Sequence, residues 1–445
     1  MASAVTWNDC LEYVALTDVG MRRANNQDAH AEVLAPDPES WFRRGHMFVV
    51  CDGMGAHAAG ELASEMAAEG IPHNYLKYCA LPAADAIRKS VEEVNGQIYS
   101  RGQANPDFQG MGTTASALLL LPQGALVAHV GDSRVYRLRG QRLEQLTFDH
   151  SLVWEMSAAG QVPKSALPGF VPKNIITRSL GPHAEVRVDL EGPYPLEPSD
   201  MFLLCSDGLS GQVQDAEIGA LLQSLPPAEA AQVLVDLANL RGGPDNVTVI
   251  VVRVINAALT SAGGWQAEPL ALTAQPPAAP PPPLGGKSLW IAAAVCLTVA
   301  LVLGIAQWTI PALCAILVAI ALGMISFLQR LTPTQQAMRY LPAGVRLGNG
   351  PHATIECQPN EELVRELISM IEQLREAATE EQWSVDWEPF NARSLEGKQA
   401  LDARDFPRAV REYATALRFL MNELRQQQAR VQTGNYQPQP RAENG

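Results

Sequence analysis

The sequence predicts an α+β protein: antiparallel sheets packed face to face and covered by helices, then two apolar helices, then a small all-α region. Three observations carry this expectation. Through the first half of the 445 residues, short β-type runs bounded by turn residues alternate with helical stretches. The run from Leu289 to Leu328 holds no charged residue. Beyond it, apolar residues recur at helical spacing.

The strand-like runs are FVVC (48–51), TASALLLL (114–121), ALVAHV (125–130), RVYRL (134–138), MFLLC (201–205) and VTVIVVRV (247–254). Helices are expected at 59–78 and 82–101. Strands paired by tight turns, with long helices between strand groups, form layered sheets with helices outside. This region spans 1–258 and is followed by a Pro/Ala/Gly-rich linker over 259–287 that ends in four consecutive prolines at 280–283. Such a composition forms no core and favours a semi-extended chain.

One membrane helix needs about 20 residues to cross about 30 Å of hydrocarbon. The uncharged run is twice that long, and Gln307, Trp308 and Pro311 near its middle mark a turn. Two spans, 289–307 and 311–328, are therefore expected as a hairpin within 288–329. A buried soluble helix pair would show a polar face, and this run has none. Lys287 and Arg330 flank the run while its turn lacks Lys and Arg, which places both flanks in the cytoplasm. The expected location is the cell membrane, crossed twice.

Residues 330–432 read as a cytoplasmic helical region. Leu363, Leu367, Met370, Ile371 and Leu374 form one stripe, and helices at 393–403 and 407–428 flank Arg404-Asp405-Phe406-Pro407. The stretch 397–417 resembles one tetratricopeptide hairpin, although a single unit cannot bury its own faces and a small helical bundle fits equally. The tail 433–445, rich in Gln, Pro and Asn, is expected to be disordered.

The net charge of −14, with no Lys/Arg-rich run, excludes a basic nucleic-acid-binding face. Seven scattered cysteines without a CxxC pair indicate a reduced chain rather than a disulfide framework. The N-terminus lacks a basic stretch followed by an apolar one, so no signal peptide is expected.

Six segments carry the chemistry: TDVGMRRANNQD (17–28), FVVCDGMGAHAAGELAS (48–64), GDSRVY (131–136), LTFDHS (146–151), MFLLCSDGLSG (201–211) and GGPDNVTVIVV (242–252). Each alone is an ordinary turn or helix cap. Together they place Asp52 and Asp207 at the ends of apolar strands and Asp245 just before another, positions expected on one edge of a sheet. Unpaired carboxylates gathered there repel one another unless they bind cations, and carboxylates with water select Mg²⁺ or Mn²⁺ over zinc. There is no GK[ST] phosphate loop and no CxxxxxR motif.

These segments, in this order, closely resemble the PPM family of metal-dependent protein serine/threonine phosphatases, also called type 2C. The resemblance covers about 11–254, and DGMG and NNQD point to its bacterial branch. It implies an α-β-β-α sandwich with a two-metal centre at one end. The bridging carboxylate falls on Asp52 and the carbonyl ligand on Gly53. Further metal carboxylates fall on Asp207 and Asp245, and Asp28 matches the acid that holds metal-bound water. Arg23 matches the phosphate-clamping arginine, ahead of Arg22. Asp132 matches the ligand of a third, weaker metal, and 148–176 corresponds to the flap. Two departures stand out. Gly55-Ala56-His57 replaces the usual GGH, and Met54 occupies the place of the histidine proposed as general acid in animal members.

The implied reaction is hydrolysis of phosphoserine and phosphothreonine by water made acidic between two Mn²⁺ or Mg²⁺ ions, with Arg23 neutralising the phosphoryl oxygens. Expected partners are phosphoproteins, membrane-bound serine/threonine kinases among them. The alternative is a phosphatase fold degraded into a membrane sensor or scaffold module. Such relatives lose metal aspartates, whereas Asp28, Asp52, Asp207 and Asp245 are all present.

Overall fold

The computed structural model describes residues 10–55, 58–158, 175–256, 270–273, 298, 338–340, 346–383 and 385–432. The strands are β1 (Leu11–Asp18), β2 (Asp28–Val33), β3 (His46–Met54), β4 (Gly112–Thr113), β5 (Ala115–Leu121), β6 (Gly124–Val130), β7 (Arg134–Arg139), β8 (Arg142–Gln145), β9 (Asp189–Tyr194), β10 (Met201–Cys205), β11 (Val247–Val254), β12 (Ala271–Thr273), β13 (Met338–Tyr340) and β14 (Ala353–Glu356). The helices are α1 (Pro38–Arg44), α2 (Ala59–Lys77), α3 (Ala83–Ala104), α4 (Leu152–Ala158), α5 (Asp207–Ser210), α6 (Asp215–Ser224), α7 (Pro227–Leu240), α8 (Glu361–Glu380), α9 (Trp387–Asp402) and α10 (Phe406–Gln432).

Two antiparallel sheets form the centre. One runs β1-β11-β10-β7-β8-β14 and the other β2-β3-β5-β6-β9, with β4 paired to β3. Strand alternation explains why they stack. In β11, Ile250, Val252 and Val254 point between the sheets with Phe48, Leu118 and Val127, while Val247, Val249 and Val251 point the other way. Both faces of β10 and β11 are buried, so both strands read as unbroken apolar runs. Helices α2 and α3 pack together, with α2 on β2 and β3, while α6 and α7 cover the outer face of the other sheet.

Residues 1–270 and 342–445 belong to one compact unit. Val364, Leu367 and Ile371 of α8 and Leu417, Leu420 and Met421 of α10 share a buried cluster with Ile218, Leu221 and Leu234 of α6 and α7. Polar ties border it: Arg241 reaches Glu217 and, at 3.2 Å, Glu366, and Arg425 pairs with the fully buried Asp236. Helices α9 and α10 form the expected hairpin, with Gly397 seated against the Tyr413 ring. The expectation of an all-α C-terminal region needs correction, because β14 pairs with β8 there. Its sequence ATIE is too short and too polar to announce a strand, since an edge strand gains most of its pairing through backbone groups.

The second unit spans Ala271–Leu341, and in it β12 and β13 pair antiparallel, Ala271 opposite Tyr340 and Thr273 opposite Met338. The expected hairpin at 289–307 and 311–328 lies outside the described residues, as does the tail 433–445. Among the described residues no helix is long and apolar enough to cross a membrane.

Candidate metal and phosphate site

The predicted site residues gather at one end of the sandwich, drawn from both sheets. Asp52 lies in β3, directly opposite Asp28 of β2 in the strand register. Asp207 follows β10 and Asp245 precedes β11, neighbours in the other sheet. The expectation of a single sheet edge is thus corrected. Asp52 and Asp28 face Asp207 and Asp245 across the inter-sheet gap, because the two sheets run out at the same end.

Backbone contacts hold these carboxylates in place. Asp52 N donates to Thr114 Oγ1 at 2.8 Å, and Asp52 O accepts from Thr113 Oγ1 and from Thr114 N, each at 2.9 Å. Thr114 Oγ1 in turn lies 2.7 Å from Ser133 Oγ, beside Asp132. Gly53 is forced: a Cβ there would stand 2.2 Å from Gly60 O and 2.4 Å from Gln27 O. Ser206 Oγ crosses between the sheets to donate to Asp28 Oδ2 at 2.8 Å. Asn246 fixes the arginine loop, accepting from Gln27 N at 2.8 Å and donating to Val19 O and Asn25 O. Arg23 Nη2 donates to Asp245 Oδ2 at 2.8 Å from a half-exposed position. Arg22 meets this loop through its backbone, donating to Gly243 O at 3.2 Å.

The electrostatics are those of a buried acid cluster in which burial and mutual repulsion outweigh the nearby Arg23 and Arg134. Burial, with the charges of Asp207 and Asp245, pushes Asp28 up to about 7 despite hydrogen bonds from Thr248 and Ser206. Burial, then Asp207 and Asp149, pushes Asp132 up to about 7 as well. Asp52 is raised well above the ordinary carboxylate range, by burial and then by Asp28, Asp207, Asp132 and Asp245. Asp207 is raised by burial and Asp245, and its carboxyl lies within hydrogen-bonding reach of Asp52.

Two observations test whether this set fits cations. Asp28 Oδ1 and Asp132 Oδ1 are buried without any hydrogen-bond partner, an expensive state for a carboxylate oxygen. The donor set is all oxygen, which suits Mg²⁺ or Mn²⁺. As the side chains stand, no three His, Cys, Asp or Glu among the described residues converge tightly enough to enclose an ion alone. Residues 56–57 and 159–174, which include Ala56, His57 and most of the expected flap, lie outside the described residues.

Sequence reasoning named the acids expected to face cations but missed the residues that hold them: Ser206, Thr113, Thr114, Asp149 and Arg134. Arg134 grips Asp149 through Nε and Nη2, the latter at 2.7 Å, and so closes one side of the Asp132 corner. The signal was present in the GTT, SDG and GDSR segments, but only the tertiary contacts reveal which side chain holds which.

The model of the protein phosphatase 2C family matches residues 21–238. A serine/threonine phosphatase of Listeria monocytogenes is 38% identical over 241 residues, 53% of this chain and 93% of the relative. The chain belongs to the protein phosphatase 2C family. The protein phosphatase PhpP of Streptococcus pneumoniae matches the same domain, 38% identical over 248 residues, 54% of this chain and 97% of PhpP. Among solved structures, the serine/threonine phosphatase PstP/Ppp of Mycobacterium tuberculosis is 35% identical, covering 55% of this chain and 99% of that one, with a TM-score of 0.49. These matches cover about the first half of the chain, and the second half lies outside them.

Proposed function

We propose that this chain is a membrane-anchored, metal-dependent serine/threonine protein phosphatase acting on phosphoproteins, membrane-bound serine/threonine kinases among them. The buried, mutually repelling acids with two unpartnered oxygens carry this reading, together with relatives named as serine/threonine phosphatases. Asp52, Gly53, Asp207 and Asp245 would hold two Mn²⁺ or Mg²⁺ ions, Asp28 would orient water beside them, and Asp132 would serve a third, weaker site. Such ions, when bound, supply water acidic enough to ionise near neutral pH and positive charge facing the phosphoryl oxygens.

The chain's own residues do the rest. Arg23 presents a planar fork matched to phosphate, at an exposed position a protein substrate can reach. Its contact with Asp245 keeps the guanidinium at the site before phosphate arrives. Ser206 and Asn246 tie the strand ends of one sheet to Asp28 and Gln27 of the other, so the acids keep their spacing.

The apolar run over 289–328 supports the membrane anchor. Two features support an even number of crossings. The segments before and after the run belong to the same compact unit, and β12 pairs with β13 at its two flanks. A tether of this kind concentrates the enzyme near membrane-bound phosphoproteins. The test is turnover of a phosphothreonine peptide by the purified full chain in detergent. Activity should vanish in EDTA, return with Mn²⁺ and be lost in Asp207→Asn; full activity in chelator would sink the reading.

A further inference from the structure

Residues 346–358, reached only after the apolar run, carry no helical pattern, yet they make ordered contacts with the catalytic domain. β14 runs antiparallel to β8, Ala353 opposite Gln145 and Glu356 opposite Arg142. His352 N donates to Gln145 O at 2.8 Å and Cys357 N to Gln141 O at 2.7 Å, extending the ladder at both ends. Just upstream, Gly192 N donates to Leu347 O at 3.1 Å. Gly192 belongs to β9, the edge of the other sheet. One short segment thus joins the edges of both sheets.

Its anchor is Glu191, a buried carboxylate of β9. Glu191 accepts from Gly350 N at 2.8 Å, Asn349 N at 3.4 Å and His352 Nε2 at 3.0 Å. Gly348 must be glycine, since its φ is +71° and a Cβ would land on the Glu191 carboxylate.

From this anchor His352 reaches toward the metal corner. Its ring stands edge-on to Phe148 with centroids 5.5 Å apart, and Phe148 meets Trp154 of α4 in the same way at 5.4 Å. Phe148 O accepts from His129 Nε2 at 3.0 Å. The two residues after Phe148 grip both flanks of Asp132. Asp149 takes the Arg134 guanidinium. His150 N donates to Gly131 O at 2.7 Å, and Gly131 N donates back to His150 Nδ1 at 2.9 Å.

We propose that residues 346–358 are a positioning strap for the Asp132 corner, in which His352, held by Glu191, braces Phe148 and thereby fixes Asp149 and His150 around Asp132. His352 is a positioning residue and touches neither substrate nor metal. The strap's role in catalysis rests on the phosphatase reading of the site; its role as a brace does not. The second half of the chain is in this way a working part of the catalytic unit as well as its tether.

The experiment uses the full chain with His352→Ala, His352→Phe and Gly348→Ala. In metal-free protein, amide hydrogen exchange over 146–151 should speed up at least fivefold in His352→Ala, with 201–205 and 247–254 unchanged. With Mn²⁺ restored, the concentration giving half-maximal turnover should rise threefold to tenfold while kcat at saturating Mn²⁺ stays within twofold. His352→Phe keeps a ring against Phe148 but gives up the Glu191 bond, so its exchange rate and Mn²⁺ requirement should fall between those of the parent and His352→Ala. Gly348→Ala, which disturbs the same anchor from the backbone side, should reproduce the His352→Ala pattern. Unchanged exchange over 146–151 would overturn the proposal, as would equal acceleration in β10 and β11 or a fall in kcat with no change in Mn²⁺ requirement. A parent chain that shows the exchange pattern but no metal-dependent turnover would sink the phosphatase reading and leave the brace standing.

Discussion

Replacing Asp28 with asparagine should make the metal-free protein more stable and the metal-loaded protein less so. Asp28 is buried, and in the absence of cations its carboxyl rises from 3.8 to about 7. At about 1.4 kcal/mol per pH unit, that difference sets roughly 4 kcal/mol against the ionised side chain. Neighbouring acids share protons with it, so the gain from Asp28→Asn should fall between about 1 and 4 kcal/mol. Asparagine retains an oxygen to accept from Ser206 Oγ, so the inter-sheet bond survives. The sign with pH follows from the folded value lying above the unfolded one. The penalty is complete above about pH 7 and disappears below about pH 4, so the variant's advantage in EDTA should be largest at pH 8 and fade on acidification. In Mn²⁺ the advantage should shrink, and it should reverse where the Mn²⁺ stabilisation lost by the variant exceeds its gain in EDTA. A ligand at a hundred times its Kd stabilises by about 2.7 kcal/mol, and the variant, without the acid proposed to hold metal-bound water, should capture less of it. Urea melts at pH 8 and pH 4.5, in EDTA and in Mn²⁺, read all of this. An Asp28→Asn protein no more stable than the parent in EDTA at pH 8, or equally advantaged at both pH values, would refute the reasoning.

Arg23→Lys should raise KM for a phosphopeptide about tenfold with little change in Mn²⁺ requirement, since a point charge cannot reproduce a bidentate fork. Equal damage from Arg22→Ala in the same assay would assign the wrong arginine. Arg425→Ala should destabilise the unit by about 3 kcal/mol in urea melts at pH 8, because it leaves Asp236 ionised and buried without its counter-charge. Burial already raises Asp236 despite Arg425, so this loss should shrink as pH falls through its folded value toward the ordinary carboxylate range; a loss constant with pH would point to lost packing instead. A reporter active only in the cytoplasm should work when fused after Leu270 and after Gly445, and activity of an export-dependent reporter at Gly445 would mean an odd number of crossings.

The legible part of the fold is the part buried on both sides. MFLLC and VTVIVVRV coincide with β10 and β11 because every residue but one faces a packed layer. The strands at the sheet margins were not legible: the edges β9 and β14 and the penultimate β8. In β8 (RLEQ), β9 (DLEGPY) and β14 (ATIE) pairing comes from backbone groups, and charges and Gly-Pro steps mask any alternation. The acids of the site were legible because they sit at strand ends, but not that Asp52 belongs to one sheet and Asp207 to the other. That depends on strand order, which local pattern does not encode. The stripe Leu363, Leu367, Ile371 and Leu374 announced a helix, but a stripe does not name what it faces, and α6 and α7 proved to lie within the same cluster.

The pairing of β14 with β8 also dictates an order of assembly. During synthesis β8 leaves the ribosome roughly 200 residues before its outer partner, and closing so long a loop is slow compared with local contacts. Throughout that interval β8 remains an open edge, and the faces of α6 and α7 that will meet α8 and α10 lack their cover. Exposed edges and uncovered apolar faces are what aggregation and quality-control machinery recognise. The apolar run is made within the same interval. A chain arrested before residue 346 would therefore carry every residue of the candidate metal site and still present itself to the cell as unfinished.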